Sequence, residues 1–257
     1  MNDIQKIALI TGASSGIGEA TARLLALNGY DLILTARRED RLKKVTSEIK
    51  SQTGRKILEL IFDVRNNAEV QENIASLKDA WKNVDVLINN AGLAAGLSSI
   101  KDGLINDWER MIDTNIKGLL YVSKSVIPLM VERKSGHIIN IGSIAGKEVY
   151  PNGNVYCATK YAVDALTQGM RMELLASKIK VTSICPGAAE TEFSTVRFHG
   201  DKEKARNVYK GFTPLYASDI AEAILWVVTR PSHVNINDML IMPTSQANAT
   251  TILREAD

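Results

Sequence analysis

Two cysteines in 257 residues, Cys157 and Cys185, are too few to staple a fold, which excludes a disulfide framework. An excess of charge of one sign is missing too: 31 basic and 29 acidic side chains, mixed along the chain, leave a formal charge of +2. Nucleic-acid binders concentrate basic residues in a patch. The densest cluster here runs from Arg37-Arg38 through Arg41 to Lys43-Lys44, and Glu39 and Asp40 interrupt it, so a solvated helix face accounts for most of it. No apolar run approaches the roughly 20 residues of a membrane span. The N-terminal MNDIQKIALITGASSG lacks the basic-then-apolar pattern of a signal peptide. Neither a Gly/Ser- or Pro-rich linker nor an internal repeat divides the chain. These absences point to a reduced, cytoplasmic, soluble protein with no nucleic-acid or membrane partner, organised as one domain over residues 1–257. No metal site is assigned.

What is present is an alternation. Short apolar runs at Ile7–Ile10, Leu32–Thr35, Ile57–Phe62, Val84–Asn89, His137–Ile141, Lys180–Ile184 and Met239–Met242 read as strands. Helical patterns lie between them near Gly16–Asn28, Glu39–Gln52, Ala68–Trp81, Asp107–Arg133, Val155–Ser177 and Ser218–Thr229. Strands alternating with helices make βαβ units on a parallel sheet. Runs such as IALI and GHIINIG are apolar on both faces, as a sheet covered on both sides requires. The expected fold is α/β, a single-domain Rossmann-type doubly wound parallel sheet of about seven strands with helices on both faces. The rhythm breaks between about 186 and 214, where no long periodic segment occurs. Long irregular insertions are usually lids or disordered, and Phe193, Phe198, Tyr209 and Phe212 argue for a substrate lid.

The first strand runs into Gly12-Ala13-Ser14-Ser15-Gly16-Ile17-Gly18, which opens a helix. The spacing Gly-x3-Gly-x-Gly differs from the strict GxGxxG dinucleotide pattern, but the physics carries over. Glycines allow a tight turn and a close backbone approach to phosphate, and a helix N-terminus offers free N–H groups. The alternative is a generic Gly-rich strand–helix turn. An acidic residue binding a ribose 2′-hydroxyl belongs at the end of the second strand; this chain has Ala36-Arg37-Arg38 there. Guanidinium forks bind a 2′-phosphate through charge-assisted hydrogen bonds, whereas an acid would repel it, so NADP is favoured over NAD. Asp63, with Val64 in "FDV" after the third strand, suits an adenine amino group or a helix N-cap.

Further polar residues fall at predicted strand or helix ends: Asn90 in NNAG, Asn115, Ser143, and Tyr156 with Lys160. Ligands of open parallel sheets bind beyond the carboxyl ends of the strands, so Gly12, Asn90 and Ser143 converge on one edge. Tyr156 and Lys160, four residues apart, face one side of a helix. A neighbouring cation favours a phenolate, which lets a tyrosine exchange a proton near neutral pH.

Together, TGASSGIG, NNAG, Asn115, Ser143, YCATK and Pro186-Gly187 resemble, in order and spacing, the short-chain dehydrogenase/reductases over essentially the whole chain. The resemblance implies hydride transfer between NADP(H) and a carbinol or carbonyl. Tyr156 would be the general acid/base, Ser143 the hydrogen-bond partner of the substrate oxygen, and Lys160 the ligand of the nicotinamide ribose that lowers the tyrosine's pKa. Asn115 would position a water linking Lys160 to solvent. Cofactor contacts would come from Gly12, Ser14, Ser15, Gly16, Ile17, Gly18, Arg37, Arg38, Asp63, Val64, Asn90, Tyr156 and Lys160. Pro186, Gly187, Ala189 and Thr191 would complete them. A homotetramer built through the long fourth and fifth helices is also implied.

Within that family, stretches such as DWERMIDTNIKGLLY, TEFSTVRFHGD and PSHVNINDMLIMPTSQ are similar to the NADP-dependent 3-hydroxy acid dehydrogenases, which oxidise serine and L-allo-threonine. A departure falls at Gly187–Thr191, where this chain reads shorter than the bacterial serine enzymes. A small-molecule 3-hydroxy acid needs a cation for its carboxylate. Arg197 is the candidate, Lys147 the other option, and a solvated arginine the plain alternative. A carbonyl reductase of bulkier ketones or 3-oxo esters is the runner-up, and a non-catalytic NADP-binding regulator a third reading. Cys157, beside Tyr156, is expected to be a packed thiol.

Overall fold

A computed structural model describes residues 6–255. Seven parallel strands form one sheet in the order β3-β2-β1-β4-β5-β6-β9. They are β1 (Lys6–Thr11), β2 (Tyr30–Ala36), β3 (Ile57–Ile61), β4 (Val84–Asn89), β5 (His137–Ile141), β6 (Lys180–Pro186) and β9 (Asp238–Ile241). Successive side chains on a strand point to opposite faces, and the core divides accordingly. Ala8 and Ile10 of β1, with Leu32 and Leu34 of β2, pack on one face with α1 (Gly16–Leu27), α2 (Glu39–Thr53) and α9 (Ala217–Val228). Ile7, Leu9 and Ile33 pack on the other with α3 (Asn67–Ala75), α5 (Leu119–Arg133) and α6 (Asn154–Glu173). The expected single-domain, doubly wound α/β architecture is therefore the one found.

Three helices differ from their sequence reading. The pattern over Ala68–Trp81 stops at Ala75, and a short 3-10 turn at Asp79–Lys82 follows, opened by Asp79 at a φ of 50°. Val155–Ser177 likewise divides into α6 and a 3-10 turn at Leu175–Ser177. The expected Asp107–Arg133 helix is α4 (Ile105–Ile112), a π-helical stretch (Asp113–Gly118), then α5. Periodicity sees a continuous apolar stripe and cannot register the widened turn. Such π turns concentrate at functional sites, and this one carries Asn115. The irregular stretch after β6 contains β7 (Ala189–Glu190), α7 (Glu192–Arg197), α8 (Lys202–Asn207) and β8 (Leu215–Tyr216), and β7 pairs with β8. Its helices are six residues each, too short to show a period in the sequence.

Candidate active site

The sheet order reverses between β1 and β4, and the carboxyl ends of the strands open there into a cleft of about 470 Å³. One wall is the glycine loop. Gly12 and Gly16 have φ of 68° and 56°, which disfavours any side chain there. A Cβ on Gly12 would lie 3.0 Å from Ala91 Cα, and one on Gly18 only 2.5 Å from both Gly12 O and Asn90 Nδ2. Asn90 holds the loop from the neighbouring strand: its Nδ2 donates to Thr11 O at 2.8 Å and Gly12 O at 3.2 Å. Its backbone N–H donates to Thr11 Oγ1 at 3.0 Å. Gly18 itself does not line the cleft; it is the point where α1 closes against the loop. Ser14, Ser15, Gly16 and Ile17 do line it.

Beyond the end of β2, Arg37 and Arg38 line the same cleft. Arg38 Nη2 donates to Ser15 Oγ at 2.8 Å and Ser14 Oγ at 3.3 Å, bringing guanidinium and loop hydroxyls together. Asp63 pairs with Arg65 at 2.6 Å and Arg37 at 3.6 Å. Burial pushes its carboxyl up, but Arg65 and Arg37 outweigh it and hold the group below its usual range. Asp63 is not the N-cap of α3, because Asn66 accepts from the N–H groups of Ala68 and Glu69. With Val64, Asp63 faces the cleft. A loop with no room for a Cβ at Gly12 or Gly18, two serine hydroxyls and two guanidiniums suit a dinucleotide bearing a 2′-phosphate.

The other end of the cleft gathers the polar set from β5 and α6. Ser143 follows β5; its Oγ accepts from Ala145 N at 3.1 Å, donates to Pro186 O at 3.4 Å and stands beside the Tyr156 phenol. Tyr156 and Lys160 project from one side of α6, and both are buried. Lys160 Nζ donates to Ile141 O at 2.8 Å, and burial lowers this amine to about 8. The phenol does not follow the expected lowering. Burial pushes it above its usual range and Tyr150 adds to that, while Arg197 and the Ser143 hydroxyl oppose it. The nearest cation to the Tyr156 ring is Arg197 at 5.0 Å, against 5.9 Å for Lys160.

Asn115 lies one layer beneath. Its carboxamide pairs with both backbone groups of Leu93 at 2.8 Å, and Nδ2 also donates to Thr159 Oγ1 at 3.0 Å. A Cβ on Gly92 would sit 3.3 Å from Asn115 Oδ1 and 3.8 Å from Lys160 Nζ, so this glycine lets the two groups approach. Asn115 does not line the cleft.

Pro186, Gly187, Ala189 and Thr191 line the cleft from the far side, and Thr191 approaches the glycine loop at Gly16. Arg197 lines it as well. Its guanidinium lies 5.0 Å from the ring centres of Tyr156 and Phe193, and Nη2 donates to the Tyr150 hydroxyl at 2.8 Å. Its buried Nε–H has no hydrogen-bond partner among the described residues. Lys147 points elsewhere, tied to Asp164 at 2.7 Å and Asp238 at 2.6 Å. Cys157 is packed with Leu93, Ala94 and Ala145 beneath the site, its thiol pushed up by burial. Phe193 and Tyr209, read from the sequence as lid aromatics, line the cleft, as do Tyr150, Gln246, Ala249 and Ile252, which sequence reasoning missed. The aromatics of the irregular stretch were the available signal; the last three reach the cleft only through tertiary packing.

No group of three or more His, Cys, Asp or Glu positioned for a metal ion exists among the described residues, and no described helix is long and apolar enough to cross a membrane. The fold and this cleft define a dinucleotide-dependent enzyme, and the chain belongs to the short-chain dehydrogenase family, whose model matches residues 6–202. It is 48% identical over 244 residues to an NADP-dependent 3-hydroxy acid dehydrogenase of Salmonella typhi, covering 95% of this chain and 97% of that one. A Schizosaccharomyces pombe NADP-dependent 3-hydroxy acid dehydrogenase is 43% identical over 251 residues, 97% of each chain. Among solved structures, the closed form of a serine dehydrogenase complexed with NADP+ superposes with a TM-score of 0.90 at 45% identity, over 97% of this chain and all of that one.

Proposed function

We propose that this enzyme transfers hydride between NADP(H) and the hydroxyl-bearing carbon of 3-hydroxy acids such as L-serine, L-allo-threonine and 3-hydroxypropionate-like compounds. That the chain is an NADP-dependent oxidoreductase is plain from its family and relatives; the proposal adds substrate class and residue roles. The observation that carries it is Arg197. A guanidinium stacked over Tyr156, with one buried N–H unpartnered, stands where a substrate carboxylate would be bound while its hydroxyl met Tyr156 and Ser143. The segment 186–214 is then a substrate lid, since it delivers Arg197 and Phe193 to the cleft.

When bound, NADP supplies the hydride acceptor at its nicotinamide. Ser143 holds the substrate oxygen by a hydrogen bond. Tyr156 takes the hydroxyl proton onto its phenolic oxygen in oxidation and returns it to the carbonyl oxygen in reduction. Because burial raises the phenol, its resting form is protonated; it must first lose that proton to solvent to act as the base, so oxidation is favoured as pH rises. Arg197 and, while charged, Lys160 favour the phenolate, and Lys160 would also hold the nicotinamide ribose. Asn115 is a positioning residue, bracing Leu93 and standing beside Lys160 below Gly92. Gly12, Ser14, Ser15, Gly16, Ile17, Arg37, Arg38, Asp63, Val64 and Asn90 hold the adenosine and phosphate half, with Gly18 closing the loop behind them, and Pro186, Gly187, Ala189 and Thr191 border the nicotinamide half. A cytoplasmic homotetramer goes with this reading, supported by apolar Ile105, Leu120 and Val131, exposed along α4 and α5.

The test is a panel of L-serine, D-serine, L-allo-threonine, 3-hydroxypropionate and an uncharged secondary alcohol, followed by NADPH formation. Arg197→Met keeps the apolar packing and removes the cation. It is expected to raise KM for the acids by about 10- to 100-fold, the worth of a charged hydrogen bond, and to leave KM for the uncharged alcohol unchanged, while kcat falls alike for both because the phenolate loses a cation. An equal rise for both, or no turnover of any acid by the wild type, overturns the substrate reading in favour of an uncharged carbonyl substrate.

A further inference from the structure

The arginines at the end of β2 already have an anion. Glu192, the first residue of α7, places Oε2 2.9 Å from Arg38 Nη2 and Oε1 against Arg41 Nη1, so one carboxylate bridges two guanidiniums. The same Arg38 nitrogen is bonded to Ser14 and Ser15 of the glycine loop, which brings Ser15 beside the Glu192 carboxylate. Two guanidinium forks beside serine hydroxyls are the donors a phosphate monoester takes, and here a residue of the lid segment holds them. Arg41 belongs to the basic cluster that composition alone assigns to a solvated face.

The geometry points to Glu192 as a built-in competitor for the cofactor's 2′-phosphate. The carboxylate and the phosphate claim the same N–H groups of Arg38 and Arg41, and two anions cannot share them at hydrogen-bond distance without strong repulsion. A cofactor with a 2′-phosphate displaces Glu192 and gains both arginines, while one with a plain 2′-hydroxyl leaves the ion pairs standing. Glu192 thereby sets how strongly the enzyme prefers the phosphorylated dinucleotide, and Arg41 joins Arg37 and Arg38 in reading it. Thr191, the residue before Glu192, lines the cleft against Gly16. Release of Glu192 is therefore felt where the lid meets the glycine loop. The carboxyl supports this: burial raises it, but Arg41, Arg38 and Ser15 together hold it below its usual range.

The inference rests on NADP use but not on any substrate, and its test needs none. Binding of 2′,5′-ADP and of 5′-AMP to the full chain is measured by titration calorimetry. Glu192→Gln keeps the shape and removes the charge. Freed of two exposed ion pairs, this variant is expected to bind 2′,5′-ADP about fivefold more tightly, with 5′-AMP unchanged. Arg41→Gln is expected to weaken 2′,5′-ADP several-fold and to spare 5′-AMP. Unchanged or weaker binding of 2′,5′-ADP by Glu192→Gln, equal tightening of both ligands, or no effect of Arg41→Gln overturns the assignment. If the wild type itself does not distinguish the two nucleotides, it is the 2′-phosphate reading of the arginines that fails.

Discussion

The glycine loop and the segment 186–214 face each other across one cleft, yet the first is fixed by glycine backbone and one carboxamide, and the second mostly by side-chain ties. The loop sits on the two central strands, with positive φ at Gly12 and Gly16 and the Asn90 carboxamide bonded to its carbonyls. Little there can change without a clash. The opposite segment touches the body through the Gly96 N–H to Arg197 O at 2.9 Å, His199 to Asp107 at 3.1 Å, the Glu192 ion pairs and the Arg197 ring stack. Such ties are individually weak and partly exposed. The difference teaches where binding common to one cofactor resides and where substrate choice can vary: rigid backbone suits an invariant pyrophosphate, and replaceable side chains suit one acid among many.

The sharpest way to break that contrast lies on the floor where the two walls meet. Tyr156→Phe keeps the ring that packs edge-on to Phe193 at 5.5 Å and removes only the hydroxyl proposed to carry the proton. Turnover is expected to fall about 1,000-fold with an unchanged unfolding midpoint. Turnover within tenfold of the wild type would move the acid/base elsewhere.

Lys160 tests the floor through stability. Its amine is lowered to about 8 from 10.5, so the fold holds this proton less well than the unfolded chain. Below pH 8 the amine is charged in both states and the cost of burying the charge is full. Between about 8 and 10.5 the unfolded chain keeps a proton the fold has shed, and stability rises with pH; above that window the penalty is gone. Relative to Lys160→Met, which cannot titrate, the wild type should gain on the order of 3 kcal/mol across the window, read from urea midpoints at pH 7.5, 9 and 10.5. A constant difference would refute the burial argument.

The smallest expected effect separates the walls directly. Gly18→Ala forces a Cβ against Gly12 O and Asn90 Nδ2 and should destabilise the protein by about 2 kcal/mol. Arg197→Met, in the facing segment, should stay within about 0.5 kcal/mol of wild type in the same denaturation. Equal losses would mean that both walls are structural.

Much of this was legible along the chain. IALI, DLILT and GHIINIG are apolar on both faces because helices cover both sides of the sheet, and the strand positions followed. Ser143, Tyr156 and Lys160 could be placed on one edge because strand ends of a parallel sheet share it. The π turn at Asn115 could not be read, since a widened turn preserves the apolar stripe. Nor could the direction of the Tyr156 phenol: four-residue spacing places a lysine nearby but says nothing of the burial that outweighs it. Arg41 looked solvated because Glu192, its partner, lies 151 residues away.

What the sequence determined by itself was local: periodicity set the elements, glycine spacing set the loop, and i, i+4 geometry joined Tyr156 to Lys160. What only the tertiary structure decided was non-local: that Asn90 braces Gly12, that Arg197 rather than Lys147 faces the phenol, and that Glu192 closes the arginine pair. The physical reason is range. Backbone conformation answers to neighbours within a few residues, whereas charge, burial and pKa answer to whatever the fold brings within a few ångströms.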